Sequence, residues 1–251
     1  MVLDEDALHR ALEAAGLSAP VRWDDVTVST NDTAMRLAAE GVPAWTLVAA
    51  GHQTLGRGRA GRSWSDRSGR AVLFSLVLRP SLDAELLGLV PLAAGAAMAN
   101  AASEAAGLDV RCKWPNDLLL DGAKVGGILA ESELDGAAVR HVVVGVGVNL
   151  EPPEDVAGAA GIGDVDEEML VTAFLRSLAS LIGGEPNEIL DSWRARAYTL
   201  GRRVEATTTE GTVVRGVAAD VDATGALLVD TDAGRVRVAF GDVHHLTVDH
   251  G

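Results

Sequence analysis

Two periods of apolar residues run along this chain, one helical and one alternating, and they divide it into stretches. Residues 4–16 carry apolar side chains at helical spacing and end in glycine, which predicts a short amphipathic helix. Residues 21–28 read as a strand. Ser29-Thr30-Asn31 then turns into a helix over 32–40 that Gly41 closes, with either hydroxyl or Asn31 available as N-cap. Apolar strands follow at 44–50 and 71–78. The most apolar stretch, within 83–106, is interrupted by Pro91, Gly95, Asn100, Ser103 and Glu104 and rich in alanine and glycine, so it predicts a buried helix rather than a membrane span.

The pattern then shortens. Asp121-Gly122 separates 118–120 from 123–125, and Asp135-Gly136 separates 128–134 from 138–148, as in strands joined by tight turns. After Glu151-Pro152-Pro153 an acidic, glycine-rich loop runs to Asp164. It leads to an amphipathic helix with Leu170, Phe174, Leu178, Leu181 and Ile182 inward, and to a second helix over 186–197. Beyond Gly201 the segments are short, rich in Val and Thr, and broken at Glu210-Gly211, Gly225 and Ala233-Gly234, which predicts a small all-β barrel. The expectation is an α+β fold with helices packed on a mixed or antiparallel sheet, divided into a larger domain over 1–200 and a barrel over 201–251.

Composition narrows the function. With 251 residues, 48% of them apolar, the chain can bury a substantial core, and a net charge of -15 argues against binding nucleic acid or anionic membranes. A single cysteine, Cys112, excludes an intramolecular disulfide and reads as a packing residue in a strand. The acidic N-terminus lacks the basic start and apolar run of a signal peptide, so the expected compartment is the cytoplasm. No Cys and His set has metal-ligand spacing, and His244-His245 reads as a surface pair.

Against this acidic background, Gly56-Arg57-Gly58-Arg59-Ala60-Gly61-Arg62-Ser63-Trp64 concentrates cations on a glycine-rich backbone, and Arg67, Arg70 and Arg79 extend the local exception. Glycine amides can approach a ligand closely, and arginine offers a planar fork to phosphate or carboxylate oxygens, so the run suits an anion. The dinucleotide-binding fingerprint spelled by the same letters fails on context: a polar loop follows where a helix should start. A solvated basic loop is the plain alternative.

A second run, Lys113-Trp114-Pro115-Asn116-Asp117, precedes Lys124-Val125-Gly126-Gly127-Ile128-Leu129. Asn116 and Asp117 offer acceptors suited to a base edge or a magnesium-bound water, and Lys124 stands before a glycine pair that keeps the local wall low. Singly, these residues read as a hydrogen-bonded turn and a solvated lysine. A third run, Gly145-Val146-Gly147-Val148-Asn149, ends a strand in an asparagine whose side chain could face a ligand.

Taken in order, Ser29-Thr30-Asn31, Gln53-Thr54-x-Gly56-Arg57-Gly58-Arg59-x-Gly61-Arg62-x-Trp64, Lys113 to Asp117, Lys124-x-x-Gly127-Ile128-Leu129 and Gly145-x-Gly147-x-Asn149 resemble the bacterial biotin protein ligases, from about Val21 to the C-terminus. The resemblance implies a class II synthetase-like catalytic domain with an SH3-like barrel. It also implies a two-step reaction: biotin and ATP form biotinyl-5'-AMP, and a lysine of a biotin carboxyl carrier protein or domain, in an acyl-CoA or pyruvate carboxylase, then takes the biotinyl group.

By the same resemblance Ser29, Thr30, Asn31 and Gln53 hold the ureido ring, with Gly127 and Leu129 near the tail. Gly56, Arg57, Gly58 and Arg59 close over the carboxylate and phosphate. Lys124 is the catalytic cation, also touching both substrates, with Arg59 assisting. Arg62, Trp64, Asn116 and Asn149 serve the nucleotide, Trp64 as a stacking surface, while Asp117 orients Mg2+ or assists the acceptor lysine. No magnesium ligands are implied beyond that. His52 and Leu55 depart from the family's loop pattern. The acidic start of the chain resembles the ligase-only class, without a DNA-binding domain, and the family's sheet-joined dimers make a homodimer a candidate assembly. The rivals are a lipoate or octanoate ligase, a non-catalytic biotin-binding module and a DNA-binding regulator.

Overall fold

The computed structural model describes residues 3–64, 70–136, 138–154, 156–239 and 241–246, so Arg67 and most of the polar loop after Trp64 lie outside the described residues. Five helices are described: α1 (Glu5–Ala14), α2 (Thr30–Ala39), α3 (Leu89–Ala106), α4 (Glu167–Gly183) and α5 (Pro186–Arg196). A mixed seven-stranded sheet contains β1 (Val21–Thr27), β2 (Leu47–Gln53), β5 (Ala71–Leu78), β6 (Arg111–Lys113), β7 (Asp117–Leu120), β8 (Ala123–Asp135) and β9 (Ala138–Asn149). Its order is β1-β2-β5-β9-β8-β7-β6, with only β1 and β2 parallel. The glycine-arginine run forms a separate two-stranded ribbon of β3 (Gly56–Arg57) and β4 (Ser63–Trp64).

Strand alternation assigns the two faces of the large sheet different tasks. Phe74, Leu76, Val144, Val146 and Ile128 point into the main core with α3 and α4, where Phe74 meets Phe174 edge to face with ring centroids 5.3 Å apart. α3 is buried on nearly every side, as its composition requires. On the opposite face α2 seats Ala34 and Ala38 on Val48, Val77 and Val143. The rest of that face is left open toward the ribbon.

The remaining strands, β10 (Arg203–Thr208), β11 (Val213–Val221), β12 (Leu227–Thr231), β13 (Gly234–Val238) and β14 (Gly241–His245), form an antiparallel sheet in the order β13-β12-β11-β10-β14. It occupies the place expected for the barrel. Three expected elements change. The strand at 44–50 starts only at Leu47, because Trp45 takes a left-handed backbone, φ 69°. The start of the 83–106 stretch is a 3-10 turn, Ala84–Leu86, before α3 begins at Leu89. His245 is no surface group: its ring packs on Tyr198, centroids 5.0 Å apart, and only His244 is exposed. Among the described residues no helix is long and apolar enough to cross a membrane.

Candidate active site

The open part of the sheet face, α2's N-terminus and the ribbon enclose a cavity of about 130 Å³. Ser29, Thr30, Asn31, Gln53, Arg57, Gly58, Arg59, Arg62, Trp64, Asn116, Asp117, Lys124, Gly127 and Leu129, all singled out in the sequence, line it. Gly56 lies outside this lining but pairs with Trp64 across the ribbon. Asn149 ends β9 away from the lining, its Nδ2 donating to the Ala160 carbonyl at 3.2 Å.

One end of the cavity is a buried polar network. Ser29 is the N-cap of α2, its Oγ accepting from Asp32 N at 3.4 Å. Gln53 Oε1 accepts from Thr30 N at 2.8 Å and from its hydroxyl at 3.1 Å. Ser75, fully buried on β5, reaches Thr30 Oγ1 at 2.8 Å and Asn31 Oδ1 at 2.6 Å. Asn31 Nδ2 donates to Glu131 at 2.9 Å, and Arg57 in turn pairs with Glu131 and Asp32. The Arg57 guanidinium is held above its usual pKa, chiefly by the hydrogen bond to Asp32. Asn31 fits only because residue 145 is glycine: a Cβ there would stand 2.0 Å from Asn31 Oδ1.

The other end is aromatic and cationic. Trp64 lies flat on the sheet, where a Cβ at residue 147 would meet its Cε2 at 2.7 Å. Its buried indole N–H has no acceptor among the described residues. Asn116 Nδ2 donates to the Ile128 carbonyl at 2.8 Å. Lys124 Nζ meets Asp117 Oδ1 at 2.6 Å. Lys124 and Gly127 are three apart and would face opposite sides of a regular strand. A bulge, where the β7 register jumps between Leu118 and Leu119, brings Lys124 onto the cavity face.

The ribbon is fastened at its far side by the C-terminal sheet. Arg59 Nη1 donates to Gly241 O at 2.9 Å and lies 3.5 Å from Asp242, which also pairs with Arg62 at 2.9 Å. Burial pushes the Arg59 pKa down, against the pull of Asp242. All three arginines therefore have partners, Arg57 in Asp32 and Glu131 and the other two in β14. The sequence reading missed Ser75, Asp32, Glu131 and Asp242. Ser75 carried a signal, a lone hydroxyl within an apolar strand, and Glu131 follows Leu129 on the same face; Asp242 carried none.

A second cavity, of about 580 Å³ and largely apolar, lies between α3's start and the C-terminal sheet. The two share Arg59, Asn116 and Ile128.

Comparison with known proteins gives concordant results. Residues 23–149 match the biotin/lipoate A/B protein ligase family and residues 199–246 the biotin protein ligase C terminal domain. The chain is 33% identical to the biotin--[acetyl-CoA-carboxylase] ligase of Mycobacterium tuberculosis, covering 97% of this chain and 96% of that one. It is 37% identical to the same-named ligase of Paracoccus denitrificans, covering 86% and 97%. It is 32% identical to the bifunctional ligase/repressor BirA of Bacillus subtilis, covering 96% and 78%. Among solved structures, the biotin protein ligase from Aquifex aeolicus in complex with biotin and ATP shares the fold, with a TM-score of 0.74 at 24% identity over 91% of this chain and 99% of that one.

Proposed function

Because this chain belongs to the biotin/lipoate A/B protein ligase family, we propose that it is an ATP-dependent biotin protein ligase that forms biotinyl-5'-AMP and passes the biotinyl group to a lysine of a carboxylase's biotin carboxyl carrier domain. The observation that carries this reading is the single cavity in which a polar pocket, Lys124 and an aromatic platform follow one another along one sheet face. Ser29, Thr30, Asn31 and Gln53 form a compact donor and acceptor set suited to the ureido ring. Gly127 and Leu129 make the wall for the tail, and Lys124, Arg57 and Arg59 meet the carboxylate. Trp64, Asn116 and Arg62 serve the nucleotide, whereas Asn149, bonded to the Ala160 carbonyl away from the lining, acts only by holding the end of β9.

In the first step a carboxylate oxygen attacks the α-phosphorus and the bond to pyrophosphate breaks. Two anions must approach, so cations held in place before the reaction offset their repulsion and the charge that develops. Lys124, held by Asp117 at 2.6 Å on the cavity wall, is the cation assigned to the carboxylate and the α-phosphate. In the second step the acceptor amine attacks the mixed anhydride and AMP leaves. The second cavity, which meets the first at Arg59, gives that lysine an apolar approach.

Among the described residues no three His, Cys, Asp or Glu side chains group into a metal cage. Asp117 beside Asn116 fits a Mg2+ that arrives on the phosphates and takes one or two protein ligands, where it would neutralise phosphate charge. The test is to incubate the protein with Mg-ATP and either biotin or lipoate and analyse the acyl-adenylate by mass spectrometry. Biotinyl-AMP alone is expected; lipoyl-AMP moves the chain to the sister activity, and neither product leaves a binding module.

A further inference from the structure

Lys113 has no part in the chemistry so far described, yet the sheet register points it there. Lys113 pairs with Asp117, Asp117 with Gly127, and Gly127 with Gly147, so these four residues form one row across β6, β7, β8 and β9 on a single face. That face is the cavity floor: Asp117, Gly127 and Gly147 line it, and Trp64 lies over its glycines. Lys113 is the outer end of the row. Its side chain is only 21% exposed, its nearest acid is Asp117 Oδ2 at 4.0 Å, and its ammonium makes no hydrogen bond among the described residues.

Asp117 gives its other oxygen to Lys124 at 2.6 Å, so one carboxylate faces two lysines. The two ammonium groups are therefore within about 9 Å of each other, inside the span of a triphosphate. A largely buried cation without a full partner is costly and favours an arriving anion. Among the described residues Asp117 is the one acid that forms an ion pair with Lys113, and the Lys113 charge, with Arg202 and His244, bears on the imidazole of His245 on β14.

We propose that Lys113 binds the β- and γ-phosphates of ATP and stabilises the pyrophosphate as it leaves. This rests on the ligase reading above. As the carboxylate oxygen bonds to the α-phosphorus, the bond from that phosphorus to the oxygen bridging it to the β-phosphorus breaks, and the electron pair stays on that oxygen, which leaves as a terminal oxygen of pyrophosphate. Lys113 offsets that charge while Lys124 serves the α-phosphate. Lys113 then has work in adenylation and none in transfer, since the pyrophosphate is gone by the second step.

The experiment separates the half-reactions in the full chain. Lys113→Gln is expected to lower kcat/KM for ATP in biotinyl-AMP formation by roughly tenfold to a hundredfold, and to weaken inhibition by added pyrophosphate. Transfer from synthetic biotinyl-5'-AMP to a carrier domain should stay within about twofold of wild type, and Lys113→Arg should restore part of the first step. Equal losses in both half-reactions, or an unchanged first step, overturn the proposal while the ligase reading stands. A wild-type chain that makes no biotinyl-AMP overturns both.

Discussion

At the scale of single residues, Lys124 and Arg59 divide the work between chemistry and cover. Lys124→Ala is expected to cut adenylate formation by roughly a thousandfold with the circular dichroism spectrum unchanged, because Lys124 is partly exposed and supports no core contact. Arg59 ties the ribbon to β14. Arg59→Ala should therefore release the activated intermediate, with its dissociation rate up roughly tenfold or more, measured by trapping free biotinyl-AMP. Such residues were legible because cations on glycine backbone in an acidic chain have few structural uses. Their counter-ions were not, since Glu131, Asp32 and Asp242 come from distant segments that only the fold brings together. His245 adds a pH effect. Burial holds its imidazole down to about 4 from 6.5, so between those values the unfolded chain binds a proton that the folded chain refuses. Its contribution is complete above pH 6.5 and is lost as the pH falls toward 4. For a half-buried group this amounts to about 1–2 kcal/mol. Urea unfolding at pH 7 and pH 5 should show a shallower fall in His245→Gln than in wild type, with a residual slope from His141, whose pKa burial also lowers.

At the scale of elements, the ribbon and the sheet floor are matched in shape, and the match can be broken without touching a charge. Gly147→Ala would put a methyl group 2.7–2.8 Å from the Trp64 indole. Displacing the platform costs about 1–2 kcal/mol, so the KM for ATP should rise roughly five- to thirtyfold, with the KM for biotin little changed; an unaltered ATP profile would remove Trp64 from the nucleotide site. Element types followed from periodicity because the strands between Val110 and Asn149 are punctuated by turn residues whose identity fixes the local backbone. What periodicity could not carry was register. The β7–β8 bulge decides which face Lys124 takes, and it arises from pairing between strands rather than from either strand alone. The left-handed Trp45 and the 3-10 turn before α3 are likewise backbone features that the spacing of apolar residues does not encode.

At the scale of the whole molecule, we propose that the division near residue 200 separates two units of sequence but only one unit of folding. Trp114, 2% exposed, gives its indole N–H to Gly225 O at 3.0 Å and its backbone N–H to Thr199 Oγ1 at 2.9 Å. Arg194 reaches Asp220 at 2.8 Å, and a single hydrophobic cluster runs from Phe74 and Trp193 to Val204, Ala218 and Val229. Removing residues 201–251 would uncover this apolar surface and leave the Trp114 indole without its acceptor, a penalty of roughly 1–3 kcal/mol for the lost bond alone. It would also release the ribbon, because β14 supplies both contacts of Arg59. The full chain is therefore expected to unfold in one transition, monitored by tryptophan fluorescence and circular dichroism together. A fragment of residues 1–200 should lose its near-ultraviolet circular dichroism and make no adenylate. Two separate transitions in the full chain, or a fragment that folds and retains adenylation, would mean that the C-terminal sheet is an appendage. The fastening of Arg59 and Arg62 would then be incidental to the site.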